Sequence, residues 1–308
     1  MIEVSVQARF VDRAQWLELA KAIDRSTFDC LYVADHPGSL AAPFVALAAA
    51  ASVTDRVRLG TCVLNAGLWE PLTLAAELAT LDAVSGGRAV FGVGAGHTPS
   101  EWTKLGAAFP QAGKRVDRLI ELVGAVRLLL TGEPATTSRS HFQLHEAVLN
   151  QPRPFQDSIP LLVGGNGRRV LAFAAEYADI VGITGLGKTL SDGHSHEAEW
   201  SPAALDRSRG EVATVAQRAG RHPEVEALVQ HVEITDNRRR TAKKLADLIT
   251  GASPDDLLDA PFMWIGTPDQ ITTQILESEK RWGISRYVIR DRFIDAVGPV
   301  LDLLGNSH

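Results

Sequence analysis

Short apolar runs rich in β-branched residues alternate with longer segments of helical periodicity along the whole chain. The runs that predict strands lie at residues 2–9, 29–34, 57–64, 88–94, 159–163, 179–183, 227–234 and 286–290. Helical spacing separates these runs, as over 13–25 and 114–130. The alternation is typical of βαβ units around a parallel sheet. Eight such strands predict an α/β fold of the (β/α)8 TIM-barrel type.

One stretch after the sixth predicted strand departs from this alternation. Residues 185–201 are rich in Gly, Ser and His and lack apolar periodicity, and further helical residues follow to 221. Long irregular segments after a barrel strand commonly cover the active face. We therefore predict a single domain over residues 1–308, with a mobile insertion at 185–221 over that face.

Several predicted helices begin with a recognisable capping pattern. Thr98 and Thr267 each precede a proline, and Glu101 and Gln270 occupy the third helical position. This spacing predicts capping boxes, so the sequence explains Glu101 as a helix cap rather than as an acid. Weaker versions of the pattern begin at Ser201 and Ser253.

Composition and charge narrow the classes of partner. The 308 residues are 45% hydrophobic and carry a formal net charge of −6, without the basic excess that binds nucleic acid. Cys30 and Cys62 have no zinc-type spacing and favour a reducing compartment, and His194 and His196 have no third metal ligand. The apolar stretch 41–51 is too short for a bilayer span. We expect a cytoplasmic protein without a metal site, a nucleic-acid partner or a membrane partner.

Glycine-rich turns follow three predicted strands, at residues 92–96, 164–167 and 182–189. Glycine lets a backbone approach a ligand closely, and the amides of a helix N-terminus attract anions. The turns are therefore candidate sites for a phosphate-bearing ligand. They are equally explained, one by one, as tight turns between strands and helices.

Two of these turns partly match nucleotide-binding motifs. The first reads GVGAG and has His97 where a dinucleotide fingerprint needs its third glycine. The turn at 182–189 matches the P-loop pattern GxxxxGK[ST] and includes Lys188. A P-loop opens a helix at this point, whereas the residues that follow, LSDGHSH, have no apolar periodicity. A P-loop nucleotide hydrolase is therefore a disfavoured alternative.

Several longer motifs together resemble the luciferase-like flavin and deazaflavin oxidoreductases. They are LYVADH at 31–36, RLGTCVL at 58–64, LDAVSGGRAVFGVGAG at 81–96, PLLVGG at 160–165, AAEYAD at 174–179 and IGTP at 265–268. The resemblance covers nearly the whole chain and is strongest to the branch that uses the deazaflavin coenzyme F420. The SGGR and GVGxG block is specific only in combination with the second glycine pair and the AEYAD block.

This resemblance implies a luciferase-like barrel that binds its coenzyme at the carboxyl ends of the strands. The expected function is an F420-dependent oxidoreductase that transfers a hydride between C5 of the deazaflavin and a small organic substrate. An FMN-dependent monooxygenase that uses reduced flavin and oxygen is the alternative, and a barrel that binds a flavin-like ligand without turnover is a third. A homodimer through helices 43–51 and 72–81 is also expected.

The resemblance further assigns roles to individual residues. His36, His97 and Asp35 are expected to be catalytic, with the Cys62–Val63 bond a non-prolyl cis peptide against the ring and Asn65 at the ring edge. Coenzyme binding is expected at Asp35, Cys62, Val63, Asn65, Gly94, Ala95, Gly96, Gly164, Gly165, Asn166, Gly167, Arg168, Thr184 and Lys188.

Two departures from the sugar-phosphate dehydrogenases of this branch affect the expected substrate. His97 stands where those enzymes place a glutamate acid, and an imidazole can still exchange a proton near neutral pH. The tryptophan expected shortly after the Asp-His pair is absent, and Gly38, Ser39 and Leu40 stand there instead. The substrate of those enzymes is therefore not carried over, and the direction of the reaction is open.

Overall fold

The computed structural model describes residues 1–190 and 196–305, without the side chains of Lys188 and Thr189. Its contacts form two compact units. The first unit is Ala8–Gly164, and the second unit consists of Met1–Gln7 with Gly165–His308. The single domain over residues 1–308 remains a prediction.

Helices make up much of both units. They are α1 (Arg13–Arg25), α2 (Pro43–Ala51), α3 (Pro71–Ser85), α4 (Pro99–Lys104), α5 (Ala112–Leu130), α6 (Arg168–Tyr177), α7 (Pro202–Arg218), α8 (Arg238–Ala246), α9 (Pro254–Asp259), α10 (Pro268–Trp282) and α11 (Ile294–Gly305). Short 3-10 turns cover Ala66–Leu68 and Asp291–Phe293. Across the described residues, no helix has both the length and the apolar character needed to cross a bilayer.

The strands alternate with these helices. They are β1 (Glu3–Ala8), β2 (Cys30–Val33), β3 (Arg58–Thr61), β4 (Leu64–Asn65), β5 (Ala89–Gly94), β6 (Ala135–Ser138), β7 (Gln143–Ala147), β8 (Leu161–Gly164), β9 (Ile180–Ile183), β10 (Leu186–Thr189), β11 (His196–Ala198), β12 (Glu224–Leu228), β13 (His231–Ile234), β14 (Met263–Gly266) and β15 (Ile284–Arg290).

The first unit is built on the parallel strands β2, β3, β5 and β8, which pair in that order, with β4 beside β5. Tyr32, Leu59 and Phe91 from these strands are fully buried, since the helices cover the outer face of the sheet. At the helix layer, the indole of Trp16 donates to the carbonyl of Ala46 over 2.8 Å. Helix α2 follows β2, α3 follows β4, and α4 and α5 follow β5.

The second unit contains the parallel strands β9, β12, β15 and β1, paired in that order. Trp264, Phe262 and Tyr287 supply its largest buried side chains. The buried guanidinium of Arg286 contacts the carboxylates of Glu3 and Glu224, both near the amino ends of their strands. A buried charge such as that of Arg286 requires partners of opposite charge, so we assign this cluster a structural role.

The predicted strands and helices agree with the observed elements in most places. Each unit contributes four parallel strands, and the sequence of elements is that of a (β/α)8 barrel. Helix α1 has the predicted bounds, and the predicted helix at 114–130 extends to Ala112. The antiparallel pair β6 and β7 and the strand β14 were not predicted.

The single strand predicted at 227–234 is wrong, because two strands occupy this region. Strand β12 pairs with β15, whereas β13 pairs with β14. The main chain changes partner between them: the amide of Val229 donates to Val288, and the amide of Gln230 donates to Phe262. A continuous apolar run hides this change, since periodicity does not specify the pairing partner.

The SGGR motif forms the junction between α3 and β5. Gly86 ends the helix with a left-handed φ of 69°, a conformation that costs glycine little. The guanidinium of Arg88 then donates to the carbonyls of Ser85, Thr54 and Val57 over 2.6–2.7 Å. A motif that carried the resemblance to a family is therefore a determinant of the fold.

We expect Asp82→Ala to lower the free energy of unfolding by about 3 kcal/mol, because several donors at a buried site lose their acceptor. The Asp82 side chain is fully buried in α3. It accepts from the amides of Phe155 and Gln156 over 2.7 and 2.9 Å. Urea unfolding followed by circular dichroism measures the change. Asp302→Ala, at an exposed position of α11, is the control and should change stability by less than about 0.5 kcal/mol. Equal stability of the two variants would contradict this account.

Candidate functional site

Polar side chains collect at the carboxyl ends of the strands of the first unit. Asp35 and His36 follow β2, Asn65 ends β4, and His97 follows β5. Because the carboxyl ends of parallel strands lie at the same edge of a sheet, these residues come together although they are up to 62 residues apart in sequence. This edge holds the candidate site.

His36 and Glu101 form one of the two shortest polar contacts of this site. The Nδ1 atom of His36 lies 2.6 Å from Oε1 of Glu101. Glu101 is buried, whereas the imidazole of His36 is more than a third exposed. The pair thus has one end inside the protein and one end accessible to a ligand.

Asn65 connects Glu101 to the backbone and to Asp35. Its side-chain Nδ2 donates to Oε2 of Glu101 over 2.6 Å, and its Oδ1 accepts from the amide of Gly67 over 3.0 Å. The main-chain amide of Asn65 donates to Asp35 over 3.2 Å. Asn65 is buried with both polar side-chain atoms paired within the protein, and its hydrogen bond to a coenzyme ring edge stays a prediction.

Asp35 is buried beside this network. Its Oδ2 accepts from the indole nitrogen of Trp69 over 2.8 Å. Burial raises the pKa of Asp35 and outweighs the opposing hydrogen bonds from Trp69 and Asn65. Trp69 is therefore a hydrogen-bond partner of Asp35.

Glu101 has the opposite electrostatic behaviour. Burial raises its pKa most strongly, but hydrogen bonds from His36 and Asn65, with the charges of His36 and His97, together lower the pKa of Glu101. Two neighbouring carboxyl groups whose pKa values shift in opposite directions are a common feature of acid–base sites.

The explanation of Glu101 as a helix cap is wrong. Thr98 makes no side-chain capping bond in α4, and both oxygens of Glu101 contact His36 and Asn65. By contrast, the predicted box between Thr267 and Gln270 is present. The local sequence pattern is the same in both places. The difference arises because the tertiary neighbours of Glu101, His36 and Asn65, bind its side chain. Its position in the first turn after the GVGAG motif was the sole sequence signal.

His97 lies at the exposed rim of the cluster. Its ring centroid is 6.0 Å from that of His36, with the two rings nearly perpendicular. The charge of His97 contributes to lowering the pKa of Glu101, while its own side chain remains exposed. Both predicted catalytic histidines lie at one site.

The Cys62–Val63 bond is cis, as the resemblance predicts. The side chain of Val63 packs against the glycines that end two neighbouring strands. A Cβ on Gly94 would lie 2.8 Å from Val63, and one on Gly164 would lie 2.9 Å from it. A Cβ on Gly96 would overlap the side chain of Asn65. Packing within the protein thus explains these glycines, and Ala95 lies between two of them.

The second unit holds the other group of predicted binding residues. The side chain of Asn166 donates to the hydroxyl of Thr184 over 2.6 Å and accepts from the amides of Thr184 and Gly185 over 3.0 Å. The amide of Gly165 donates to Gly182 over 3.1 Å, so a phosphate at this turn would not use that donor. The predicted residues Gly165, Asn166 and Thr184 therefore form hydrogen bonds between the segment after β8 and the end of β9.

The P-loop match does not form a P-loop. Residues Leu186–Thr189 are strand β10, paired antiparallel with β11, where a P-loop would begin a helix. The side chain of Lys188 lies outside the described residues. The nucleotide-hydrolase alternative therefore loses its structural basis.

The remaining predicted residues lie at the start of α6. Gly167 is its N-cap, and a Cβ there would meet open space. The Arg168 side chain is exposed and lies 3.4 Å from Glu211. His194 is outside the described residues. Within the described residues, no three His, Cys, Asp or Glu side chains are grouped as metal ligands.

The side chains of the first unit fit a flavin-like ring in two respects. Val63 has an aliphatic side chain that packs against Gly94 and Gly164, the glycines that end β5 and β8. His36 follows β2 in the same set of strand ends and has a partly exposed imidazole. A flat apolar ring with a proton-exchanging partner needs both properties.

Comparisons with known proteins agree with this description. The model of the luciferase-like monooxygenase family matches residues 5–286. The chain is 39% identical over 153 residues to 4-hydroxyprotoasukamycin monooxygenase of Streptomyces nodosus subsp. asukaensis, covering 48% of this chain and 40% of that one. It is 33% identical over 170 residues to F420-dependent glucose-6-phosphate dehydrogenase of Nakamurella multipartita, covering 53% and 49%. The chain thus spans about half the length of these curated relatives or less.

A solved structure shows the fold. The F420-dependent tetrahydromethanopterin reductase of Methanopyrus kandleri superimposes with a TM-score of 0.75 at 21% identity, over 95% of this chain and 93% of that one. The predicted luciferase-like (β/α)8 fold class is confirmed.

We expect Asp35→Asn to stabilise the protein at pH 7 by about 1 kcal/mol, an ordinary single-residue effect. Because the folded-state pKa of Asp35 is raised, stability is lost as pH rises from the unfolded pKa through the folded pKa. The amide oxygen of asparagine can accept from both Trp69 and Asn65, so the variant removes the charge and keeps these bonds.

Urea unfolding at pH 7 and near pH 4 measures this effect. The gain of Asp35→Asn over the native protein should shrink toward the lower pH, where Asp35 becomes neutral in both states. Asp302→Asn, exposed on α11, serves as the control. A gain that is the same at both pH values would show that charge burial is not its cause.

Proposed function

Because the chain belongs to the luciferase-like monooxygenase family, we propose that it is an F420-dependent oxidoreductase that acts on a small organic substrate. The observation that carries this proposal is the His36–Glu101 pair, in which the imidazole is partly exposed at the carboxyl ends of the strands. The similarity to F420-dependent glucose-6-phosphate dehydrogenase supports the coenzyme, as does the coenzyme of a structural neighbour.

The residues proposed to hold the coenzyme fall into two groups. In the first unit, Cys62, Val63 and the turn 94–96 are assigned to the ring, with Gly164 supporting Val63. In the second unit, the amides of Asn166 and Gly167 at the start of α6 are assigned to a phosphate, because helix N-termini attract anions. Thr184, Arg168 and Lys188 remain proposed phosphate ligands.

F420, when bound, supplies or accepts a hydride at C5. The chain's own residues handle the proton. If the substrate is an alcohol, its carbon loses a hydride and its hydroxyl proton passes to Nε2 of His36. In the opposite direction, the imidazolium of His36 returns a proton to the substrate as its carbon gains a hydride. Positioned proton transfer of this kind typically contributes about 10²–10⁴-fold to a rate.

His97 is proposed to pass this proton to solvent, since it is exposed and lies near His36. It also stands where the sugar-phosphate dehydrogenases of the family have a glutamate. For this reason the proposal does not extend to glucose 6-phosphate, and it names alcohols, enones and imines as the classes to examine.

An FMN-dependent monooxygenase is the second candidate. The observation in its favour is the 39% identity to 4-hydroxyprotoasukamycin monooxygenase, which exceeds the identity to the F420-dependent dehydrogenase. Val63 and His36 would serve a flavin ring as well as a deazaflavin ring, so binding measurements must separate the two candidates.

We also propose a cytoplasmic location and a mobile cover formed by part of the insertion. Cys30 and Cys62 are not joined in a disulfide, which agrees with a reducing compartment. Helix α7 buries Leu205, Val212 and Ala216, so the second half of the insertion is a packed helix. The described residues 186–189 and 196–198 form the strands β10 and β11, and residues 191–195 of the predicted insertion lie outside the described residues.

The native protein is expected to bind F420 at least about tenfold more tightly than FMN in equilibrium dialysis, a difference of about 1.4 kcal/mol. Val63→Asp should weaken F420 binding by a similar factor, because it places a charge on the surface assigned to the ring. Leu248→Asp, a change at an exposed apolar residue of the second unit, is the control and should leave binding unchanged. Tight FMN binding without affinity for F420 would reverse the order of the two candidates.

Val45→Asp is expected to convert the proposed homodimer into a monomer in size-exclusion chromatography with light scattering. Helix α2 has no charged side chain, and Val45 on it is 72% exposed. Leu72 of α3 is exposed as well, and the two helices pack together, so both carry exposed apolar side chains. Leu248→Asp, at 81% exposure, should leave the mass unchanged. A native monomer would disprove the dimer.

A further inference from the structure

We propose that Glu101 is a positioning residue, which with Asn65 holds His36 in the tautomer that carries its proton on Nδ1 and keeps Nε2 available to the substrate. The inference rests on the proposed function for its catalytic meaning, but the tautomer itself is a property of the chain. The observation that carries it is an unbroken row of hydrogen bonds from the backbone of Gly67 to the ring of His36.

The first bond of this row fixes its direction. A backbone N–H can only donate, so the group of Asn65 that faces Gly67 over 3.0 Å must be the carbonyl oxygen. The amide nitrogen of Asn65 therefore faces Glu101, and it can only donate. If the side-chain amide of Asn65 were turned over, its Nδ2 would face the N–H of Gly67, and two donors would meet at a buried position without an acceptor.

The carboxylate continues the same direction. Oε2 of Glu101 accepts from Asn65, and Oε1 lies 2.6 Å from Nδ1 of His36. The hydrogen bonds from His36 and Asn65 outweigh the effect of burial and lower the pKa of Glu101. The lowered pKa favours the ionised carboxylate. An ionised carboxylate has no proton to donate, so Nδ1 must carry the hydrogen.

The neutral ring then has its lone pair on Nε2. This atom can accept a proton from a substrate, and the resulting imidazolium is stabilised by the ionised Glu101 behind it. The other titratable groups that face the pair are Asp35 and His97, whose charges act on Glu101 or His36. Neither Asp35 nor His97 forms one of the three hydrogen bonds between Gly67 and His36, so neither sets the direction in which these bonds donate.

Replacing one carboxylate oxygen of Glu101 by an amide nitrogen should reverse the direction of the hydrogen bond to His36. In Glu101→Gln, the carbonyl oxygen must face Asn65, because Asn65 still presents a donor there. The amide nitrogen of the new side chain then faces Nδ1 of His36 and donates to it. We expect the neutral ring of His36 to change to the tautomer with its proton on Nε2.

Long-range ¹H–¹⁵N correlation spectra of the full chain labelled with ¹⁵N-histidine measure the tautomer without coenzyme or substrate. The chain has nine histidines, and His36→Gln assigns the signal. The native protein should show a protonated Nδ1 and an unprotonated Nε2 when the ring is neutral, and Glu101→Gln should show the reverse. Trp69→Phe, which removes a bond to Asp35 outside the row, and Glu133→Gln, at an exposed position, should retain the native pattern.

Kinetics provide the second readout. If F420-dependent turnover is found, Glu101→Gln should lower kcat by about 100-fold, since Nε2 no longer offers a lone pair, with KM changed less than about threefold. A native ring protonated on Nε2, or the same tautomer in the native protein and Glu101→Gln, would overturn the proposal. Absence of F420 binding with the predicted tautomers would instead refute only the proposed function.

Discussion

The site depends on the burial of two carboxyl groups around one asparagine. Asn65 gives its side-chain amide to Glu101 and its main-chain amide to Asp35, so one residue satisfies part of each acid. Buried carboxyl groups without such donors would be strongly destabilising. Because Gly67 fixes the orientation of Asn65, the strand end at β4 determines the arrangement of groups that come from β2 and α4.

The secondary structure was predictable where local pattern and tertiary role coincide. Helix α1 buries Trp16, Ala20 and Ile23 along one face, so its periodicity shows directly in the sequence. The pairs β6–β7 and β13–β14 lie outside the eight parallel strands, and β6 and β7 contain exposed polar positions. Their strand character comes from a neighbouring strand, and a single sequence does not contain that information.

The site shows the same division. The Asp-His pair and the Cys62–Val63 bond were expected from motifs that are contiguous in sequence. Glu101 was missed because its local context is that of a capping box, and only a residue 65 positions away makes it a partner of an imidazole. The P-loop match at 182–189 is the converse case, in which a complete local motif folds as a strand. A short motif specifies its chemistry only when the surrounding fold places it accordingly.

The glycines illustrate why a resemblance in sequence need not identify a ligand. The turn 92–96 was a candidate for close approach by a phosphate, yet Val63 and Asn65 occupy the space beside Gly94 and Gly96. A larger residue at either position would displace the side chains that form the site, so packing alone demands glycine there. The same packing would be needed under a flavin or a deazaflavin. Selection between these coenzymes must therefore come from groups other than these glycines and Val63.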